Sequence, residues 1–421
     1  MEQMAVAIAG LGSRGRDTYA RYAEEQNKKI KITAVADLSD ERRREAAETF
    51  GIPTGRCFKT AEEMLCADKL ADVMFVCTPD EDHYNTAMGA LKKGYHLLLE
   101  KPVAATASEC VEIARTAKEN ARHVIVCHVL RYSPFYGRIK EIIDSGEIGE
   151  VVTVNAVENV GYYHQAHSFV RGKWADTKAS SPMILAKSCH DMDILLWLAG
   201  KHVKSVSSYG GLYYFKPEKA PEGAEKRCLD GCKAKETCPY DAEKIYITNE
   251  ATGIAHGHDA WPVDVLARPV TEENIRRALE TGPYGRCVFH CGNDAVDHQV
   301  VNIEFDDGVT AHLTMTAFSP EISRTVEVKG TLGSVEGDMS ANTVKLSVFG
   351  QKPREYNIAE ATGGYGGHGG GDIRMFNALF DGISGGGDSA LTSIENSVAS
   401  HLVCFAAERS RLNGGAPETL G

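Results

Sequence analysis

The chain has no run of about 18 apolar residues, so no membrane-spanning helix is expected. It has no excess of positive charge either. Its 46 Lys and Arg stand against 58 Asp and Glu, a formal net charge of −12. That balance argues against nucleic acid or an anionic membrane as the main partner, because phosphate binding needs a concentrated basic surface. The one basic cluster, Arg42 to Arg44, falls in a predicted helix and reads as a solvated face. The N-terminus lacks the basic stretch, hydrophobic segment and cleavage site of a secretory signal, so a cytoplasmic protein is expected. There is no internal repeat. Twelve cysteines scattered through 421 residues suit reduced thiols, and only one group of them is spaced suggestively.

What is present is an ordinary globular composition, 43% hydrophobic and 25% charged, in a chain too long for one core. Two units are expected, residues 1–130 and 131–421. Apolar runs at Met4 to Ala9, Ile30 to Ala36, Asp72 to Cys77, His96 to Leu99 and His123 to Cys127 alternate with helical stretches. That alternation predicts a doubly wound parallel sheet. After residue 130 the pattern changes. Extended runs at 150–160 and 203–214, then short strands from Val296 onward joined by Asp-Gly and Gly-rich turns, predict a large, mostly antiparallel sheet. Helices over Cys189 to Leu198, Asp372 to Phe380 and Ile394 to Leu412 are expected on one of its faces, making an α+β second unit.

Gly10-x-Gly12-x-x-Gly15 lies between the first strand and the first helix, the context that makes such a turn a dinucleotide fingerprint. Gly10 permits the tight turn, Gly12 lets a pyrophosphate approach the backbone, and Gly15 allows close packing of helix on sheet. Ser13 and Arg14 lie within the same turn. Asp37 ends the second strand about 20 residues on, where a carboxylate accepts from ribose hydroxyls and repels a 2′-phosphate, so NAD is favoured over NADP. Arg42 and Arg43 nearby are the counter-argument. Thr78-Pro79 and Glu100-Lys101-Pro102 close two further strands at the carboxyl ends where such sheets bind ligands, with His83 opening the next helix.

Taken with Ser145-Gly-Glu-Ile-Gly-Glu-Val-Val152, these motifs resemble the glucose-fructose oxidoreductase and inositol dehydrogenase family, Gfo/Idh/MocA, over most of the chain. The resemblance implies a Rossmann domain followed by an α/β domain with an open sheet. It also implies that Lys101 contacts the reacting hydroxyl and that Glu100 lies near the nicotinamide ribose. The stretch from Lys187 to Trp197 resembles the family helix that turns a histidine toward substrate, which makes His190 the candidate proton acceptor. Many members carry an aspartate four residues earlier; this chain has Ala186 there, with Lys187 beside it. A like-charged Lys101 and Lys187 pair would depress one lysine's pKa and make it a better base. Arg131, Tyr163, Asp191 and His298 are further candidates for holding substrate.

Between the strands at 203–214 and 296–305 lies an insert, about residues 216–292, holding Cys228, Cys232, Cys238, Cys287 and Cys291. Three cysteines on one loop plus Cys291, or alternatively Cys287, would satisfy a tetrahedral structural zinc. Unliganded thiols are the equal reading, and an iron–sulfur cluster a third. The glycine-rich segment at 363–371 reads either as a linker or as a substrate lid presenting Tyr365 and His368.

These features predict an NAD-dependent oxidoreductase acting on a secondary hydroxyl or ketone of a sugar, glycoside or cyclitol, with a small carbohydrate as partner. An NAD-dependent glycoside-cleaving enzyme that oxidises C3 transiently and then eliminates uses the same residues. A non-catalytic NAD-binding sensor is the reading from another class. A homo-oligomer, dimer or tetramer, is expected, since an open sheet face must be covered.

Overall fold

The computed structural model describes residues 3–22, 30–359, 370–385 and 391–420. β1 (Met4–Ala9) is apolar without alternation because its last four residues are buried at the centre of a parallel sheet covered on both faces. β2 (Ile30–Ala36), β3 (Cys57–Phe58), β4 (Val73–Val76), β5 (His96–Leu99) and β6 (Val124–Val126) complete six strands in the order β3-β2-β1-β4-β5-β6. Every pair is parallel. The order reverses between β1 and β4, which opens a crevice at the carboxyl ends of those strands.

The return helices are α1 (Ser13–Ala20), α2 (Asp40–Phe50), α3 (Ala61–Cys66), α4 (His83–Lys92) and α5 (Ala107–Glu119). Their ends follow from sequence. Ser39 caps α2 by accepting from Arg42 N–H at 3.3 Å, and Gly51, at φ +64°, stops it. Thr106 and Glu109 form a capping box on α5.

α6 (Pro134–Asp144) leads to the second sheet. Its strands are β7 (Val151–Asn159), β8 (Val203–Gly211), β9 (His298–Phe305), β10 (Thr310–Thr316), β11 (Ser323–Gly330), β12 (Gly333–Asp338), β13 (Thr343–Val348), β14 (Arg354–Asn357) and β15 (Glu418–Thr419). They run β14-β13-β12-β11-β7-β10-β9-β8-β15 and are antiparallel except for β7 with β10. Between β7 and β8 come α7 (Gln165–Arg171), α8 (Met183–Ala186) and α9 (Cys189–Ala199). α10 (Glu272–Thr281) lies in the insert, and α11 (Gly371–Gly385) and α12 (Ile394–Leu412) end the chain.

One face of the second sheet, with Val154, Val301, Leu313 and Val326, packs on α6, α9 and α12. The other face is open, with a groove lined by Asn155, Val157, Glu327, Glu336 and Lys345. α11 returns to the first sheet, where Met375, Phe376, Leu379 and Phe380 pack with Val6, Ile8, Phe75 and Leu98. The first residues of α12, Ile394 and Val398, reach the first sheet's other face. Among the described residues no helix is long and apolar enough to cross a membrane.

The insert has its own core of Tyr246, Val263, Ile275, Leu279 and Phe289, packed on Ala166 and Val170 of α7. Arg171 locks it, donating from Nε to Arg286 O and from Nη2 to Tyr240 O, both at 2.7 Å. The zinc expected at Cys228, Cys232, Cys238 and Cys291 is not assembled: among the described residues no three Cys, His, Asp or Glu side chains stand close enough to hold a metal ion. The arrangement matches the equal reading of unliganded thiols, in a loop that has an apolar core of its own. Cys228, Cys232, Cys238 and Cys287 line a small cavity in it, and Cys291 Sγ turns to Cys287 O at 3.2 Å.

Candidate active site

The glycine turn is built as its spacing predicts. Gly10 takes φ +93°, and a Cβ there would stand 2.3 Å from Cys77 O; a Cβ on Gly15 would stand 1.9 Å from Gly10 O. A Cβ on Gly12 would meet nothing within 4 Å. The space a pyrophosphate needs is therefore there, and the buried Thr78 Oγ1 has no hydrogen-bond partner among the described residues. These residues fit a dinucleotide. Gly12→Ala is expected to keep the wild-type melting temperature within about 2 °C, because nothing is displaced, and to weaken NADH binding at least about tenfold, because a methyl enters the phosphate cradle. Fluorescence titration with NADH beside a thermal melt checks both halves.

Asp37 accepts from Leu11 N–H at 2.7 Å and Ser39 N–H at 2.8 Å, which aims its carboxylate across the turn. Arg42 stands 3.7 Å from it, and Arg43 is occupied by Asp40 and the Asp37 carbonyl. Arg14, a cofactor-binding candidate within the turn, directs its guanidinium to three neighbours in the chain. It donates to Glu100 at 2.7 Å, and to Tyr19 OH and Asp372 at 2.5 Å each. Burial works against the charge on Glu100, but Arg14, with the Tyr19 hydroxyl, holds its carboxyl below the usual carboxylate range. His83 is buried and faces Pro102 O at 2.7 Å and Thr78 O at 2.9 Å, so it braces the two motif loops from behind.

Lys101 leaves the end of β5 and crosses to the second unit, where Nζ donates to Ala186 O at 2.6 Å. The position lacking the family aspartate thus engages the lysine through its backbone carbonyl. Beside it, Lys187 pairs with Glu158 at 3.2 Å on the buried face of β7. Arg324 on β11 reaches Asp191 at 2.8 Å and also pairs with Glu158. Burial foremost pushes the Glu158 carboxyl up to about 8, with Asp191 adding to it against the pull of Arg324 and Lys187. Burial also lowers Lys187, Glu158 opposing; Arg324 and, less, Lys101 push the same way. The Lys101 charge comes last among these influences, and the carboxylate partner was not foreseen.

His190 stands on α9 with His128 edge-on, ring centroids 5.7 Å apart, and His128 in turn meets His401 at 5.3 Å. His401 accepts Val103 N–H on Nε2 at 3.0 Å and bonds Ser397 O through Nδ1 at 2.7 Å, which fixes one neutral tautomer. Burial, with His128 next, drops it to about 3. Both nitrogens of His128 are buried without a hydrogen-bond partner, and burial lowers its pKa. His164 is lowered well below the usual range by burial first, then by Lys187, His167, Arg324 and Lys101, and its ring stands 5.8 Å from that of Phe169.

Three candidate substrate contacts are otherwise engaged. Arg131 spends its fork on Asp193, two bonds of 2.7 Å, and on Leu391 O, so it ties α9 to the α12 approach. Asp191 is held by Arg324. His298 pairs in register with Thr316 and Gly211, exposed and bonded to Asp297 at 2.8 Å. Its neighbour Gln299 faces the helices, so alternation sends His298 to the open face, away from Lys187 and Glu158. Tyr163 stays in the region, 6.2 Å from Trp261. Tyr365 and His368 lie outside the described residues. Sequence reasoning passed over Glu158, Arg324, His128, His164 and His401.

A nucleotide crevice with a lysine reaching from it into a second-domain cluster of titratable groups defines an NAD-binding oxidoreductase. Residues 4–128 match the oxidoreductase family model for the NAD-binding Rossmann fold, and residues 140–414 match its C-terminal alpha/beta domain. The chain belongs to the Gfo/Idh/MocA family. The oxidoreductase YteT of Bacillus subtilis is 24% identical over 337 residues, covering 76% of this chain and 74% of that protein. Inositol 2-dehydrogenase of Salmonella typhimurium is 26% identical over 203 residues, covering 48% of this chain and 56% of that one. The crystal structure of an Agrobacterium radiobacter oxidoreductase in complex with NAD+, L-tartaric acid and magnesium shares the fold, with TM-score 0.69 at 14% identity over 99% of this chain and 98% of that one.

Proposed function

We propose that the protein is an NAD-dependent dehydrogenase of a secondary hydroxyl on a sugar, glycoside or cyclitol. The observation that carries this reading is Lys101 Nζ, held at 2.6 Å on Ala186 O between the nucleotide crevice and the Lys187–Glu158 pair. NAD, when bound at Gly12, Asp37 and Thr78, supplies the hydride acceptor. Lys101 lies where an ammonium can orient the hydroxyl oxygen and stabilise the alkoxide that develops as its proton leaves. His190 receives that proton, and its orientation is supported by His128 and His401. Glu100, kept ionised by Arg14, steadies the backbone of Lys101 by accepting its N–H at 3.2 Å. Inositol 2-dehydrogenase among the relatives supports a polyhydroxylated substrate.

One observation favours a second reading, glycoside cleavage through transient C3 oxidation. Besides His190, the site holds the Lys187–Glu158 pair, whose pKa values are shifted toward each other. Elimination needs a second acceptor, for the proton on the carbon next to the new ketone. Incubating the enzyme and NAD with aryl glycosides and free sugars, following NADH and released phenol together, separates the two. Accumulating NADH is the expected result; phenol release at constant NADH overturns the simple dehydrogenase, and neither signal on any polyol overturns both.

A further inference from the structure

Trp261, in the insert, stands edge-on to His164 at 4.8 Å and 75°, to His167 at 5.4 Å and 82°, and tilted to Tyr163 at 6.2 Å. Of these rings, His164 also stands 5.8 Å from Phe169, which shares a buried cluster with Ala186, the residue whose carbonyl holds Lys101. Yet the indole remains 39% exposed. An isolated exposed tryptophan needs no explanation. This one is held by rings on its edges while much of its surface stays open, beside the charged cluster that would grip sugar hydroxyls. Its backbone is anchored as well. Val263, two residues on, is fully buried in the insert core, and Arg268 pairs with Asp264 at 3.1 Å and with Asp17 of α1 at 3.3 Å. Asn249 donates to Tyr162 OH at 2.6 Å, tying the insert to the segment that carries His164. The insert therefore spans from the glycine-turn helix to the substrate side and delivers one indole there.

We propose that Trp261 forms a second subsite, which stacks a ring attached to the sugar oxidised at Lys101, so that the substrate is a glycoside with a ring-shaped aglycone. This deepens the reading given above and rests on it. The division of labour is chemical. Ammonium, imidazole and carboxylate groups match hydroxyls, whereas an open indole matches the apolar face of a pyranose or an aromatic ring, with the large rigid contact area that tryptophan supplies at small entropic cost. A free monosaccharide meets only the first set; a glycoside meets both.

The probes are phenyl β-D-glucoside and glucose, with the full-length protein loaded with NAD. Trp261→Ala is expected to raise the ratio of KM for the glucoside to KM for glucose at least tenfold, with Trp261→Phe partway between. A ratio within twofold of wild type overturns the subsite, as does a wild type that turns over glucose and not the glucoside. Calorimetric titration with the glucoside gives a readout independent of turnover. At least tenfold weaker binding to Trp261→Ala than to wild type upholds the subsite even where no NADH forms, a result that would count against the dehydrogenase reading alone. Equal binding, or no binding to wild type, overturns the subsite. Matching melting temperatures establish that the variant is folded.

Discussion

Lys101→Met is expected to lower kcat/KM about 1,000-fold while NADH affinity stays within about twofold. The magnitude is that of removing one preorganised charged donor from a developing oxyanion, roughly 4 kcal/mol of transition-state stabilisation. The affinity holds because Lys101 faces Ala186 in the second unit, whereas the cradle is made by the Gly12 turn and Asp37. Lys101→Arg is expected to recover little, since a planar fork does not reproduce a compact ammonium. Steady-state kinetics beside NADH titration decide the matter: a variant retaining a tenth of the wild-type rate shows that Lys101 is not at the reacting oxygen.

If the Lys187–Glu158 pair serves as the second proton acceptor, Lys187→Met is expected to lower kcat/KM for glycoside cleavage about 100-fold, the scale of one acid–base group, and to move its pH profile. The direction follows from charge. Glu158 is pushed up to about 8 by burial despite Arg324 and Lys187 pulling it down. Taking one cation away raises it further, so the limb of kcat/KM that reports Glu158 shifts to higher pH. Unchanged turnover with an unchanged profile would leave the pair a structural tie only. Because the proton is shared between two partners, the limb belongs to the pair.

What could be read in advance follows the range of the forces involved. The glycine turn, Asp37 and the strand-end motifs are local, since each works through the backbone geometry of a few consecutive residues. Lys101 was singled out through the family resemblance, with its place at a strand end in support. The charged cluster was not, because Glu158, Lys187, Asp191 and Arg324 come from three stretches that only the second sheet and α9 unite. A signal existed all the same. On β7 Glu158 shares the parity of Val154 and Ala156, and on β11 Arg324 shares that of Val326 and Val328. A charged residue at a core parity costs several kcal/mol unless it meets an opposite charge, so each foretold the other. The cysteine spacing left zinc and free thiols equally open for the converse reason: spacing is visible in one dimension, while the side-chain directions that decide between them are not. His298 was misplaced by its neighbour Asp297, since one residue of register decides the face.

α11 closes the first sheet from the far end of the chain, and Asp372 at its start grips Arg14 beside the glycine turn. During synthesis the strands of the nucleotide unit thus precede the helix that covers them by the length of most of the second unit. Phe75, Ile8 and Leu98 wait for Phe376 and Leu379 while some 240 residues of the second unit, beginning near residue 130, are made. Until α11 is made, that face of the nucleotide sheet has no cover, so the cradle at Gly12 is completed by residues far from it in sequence.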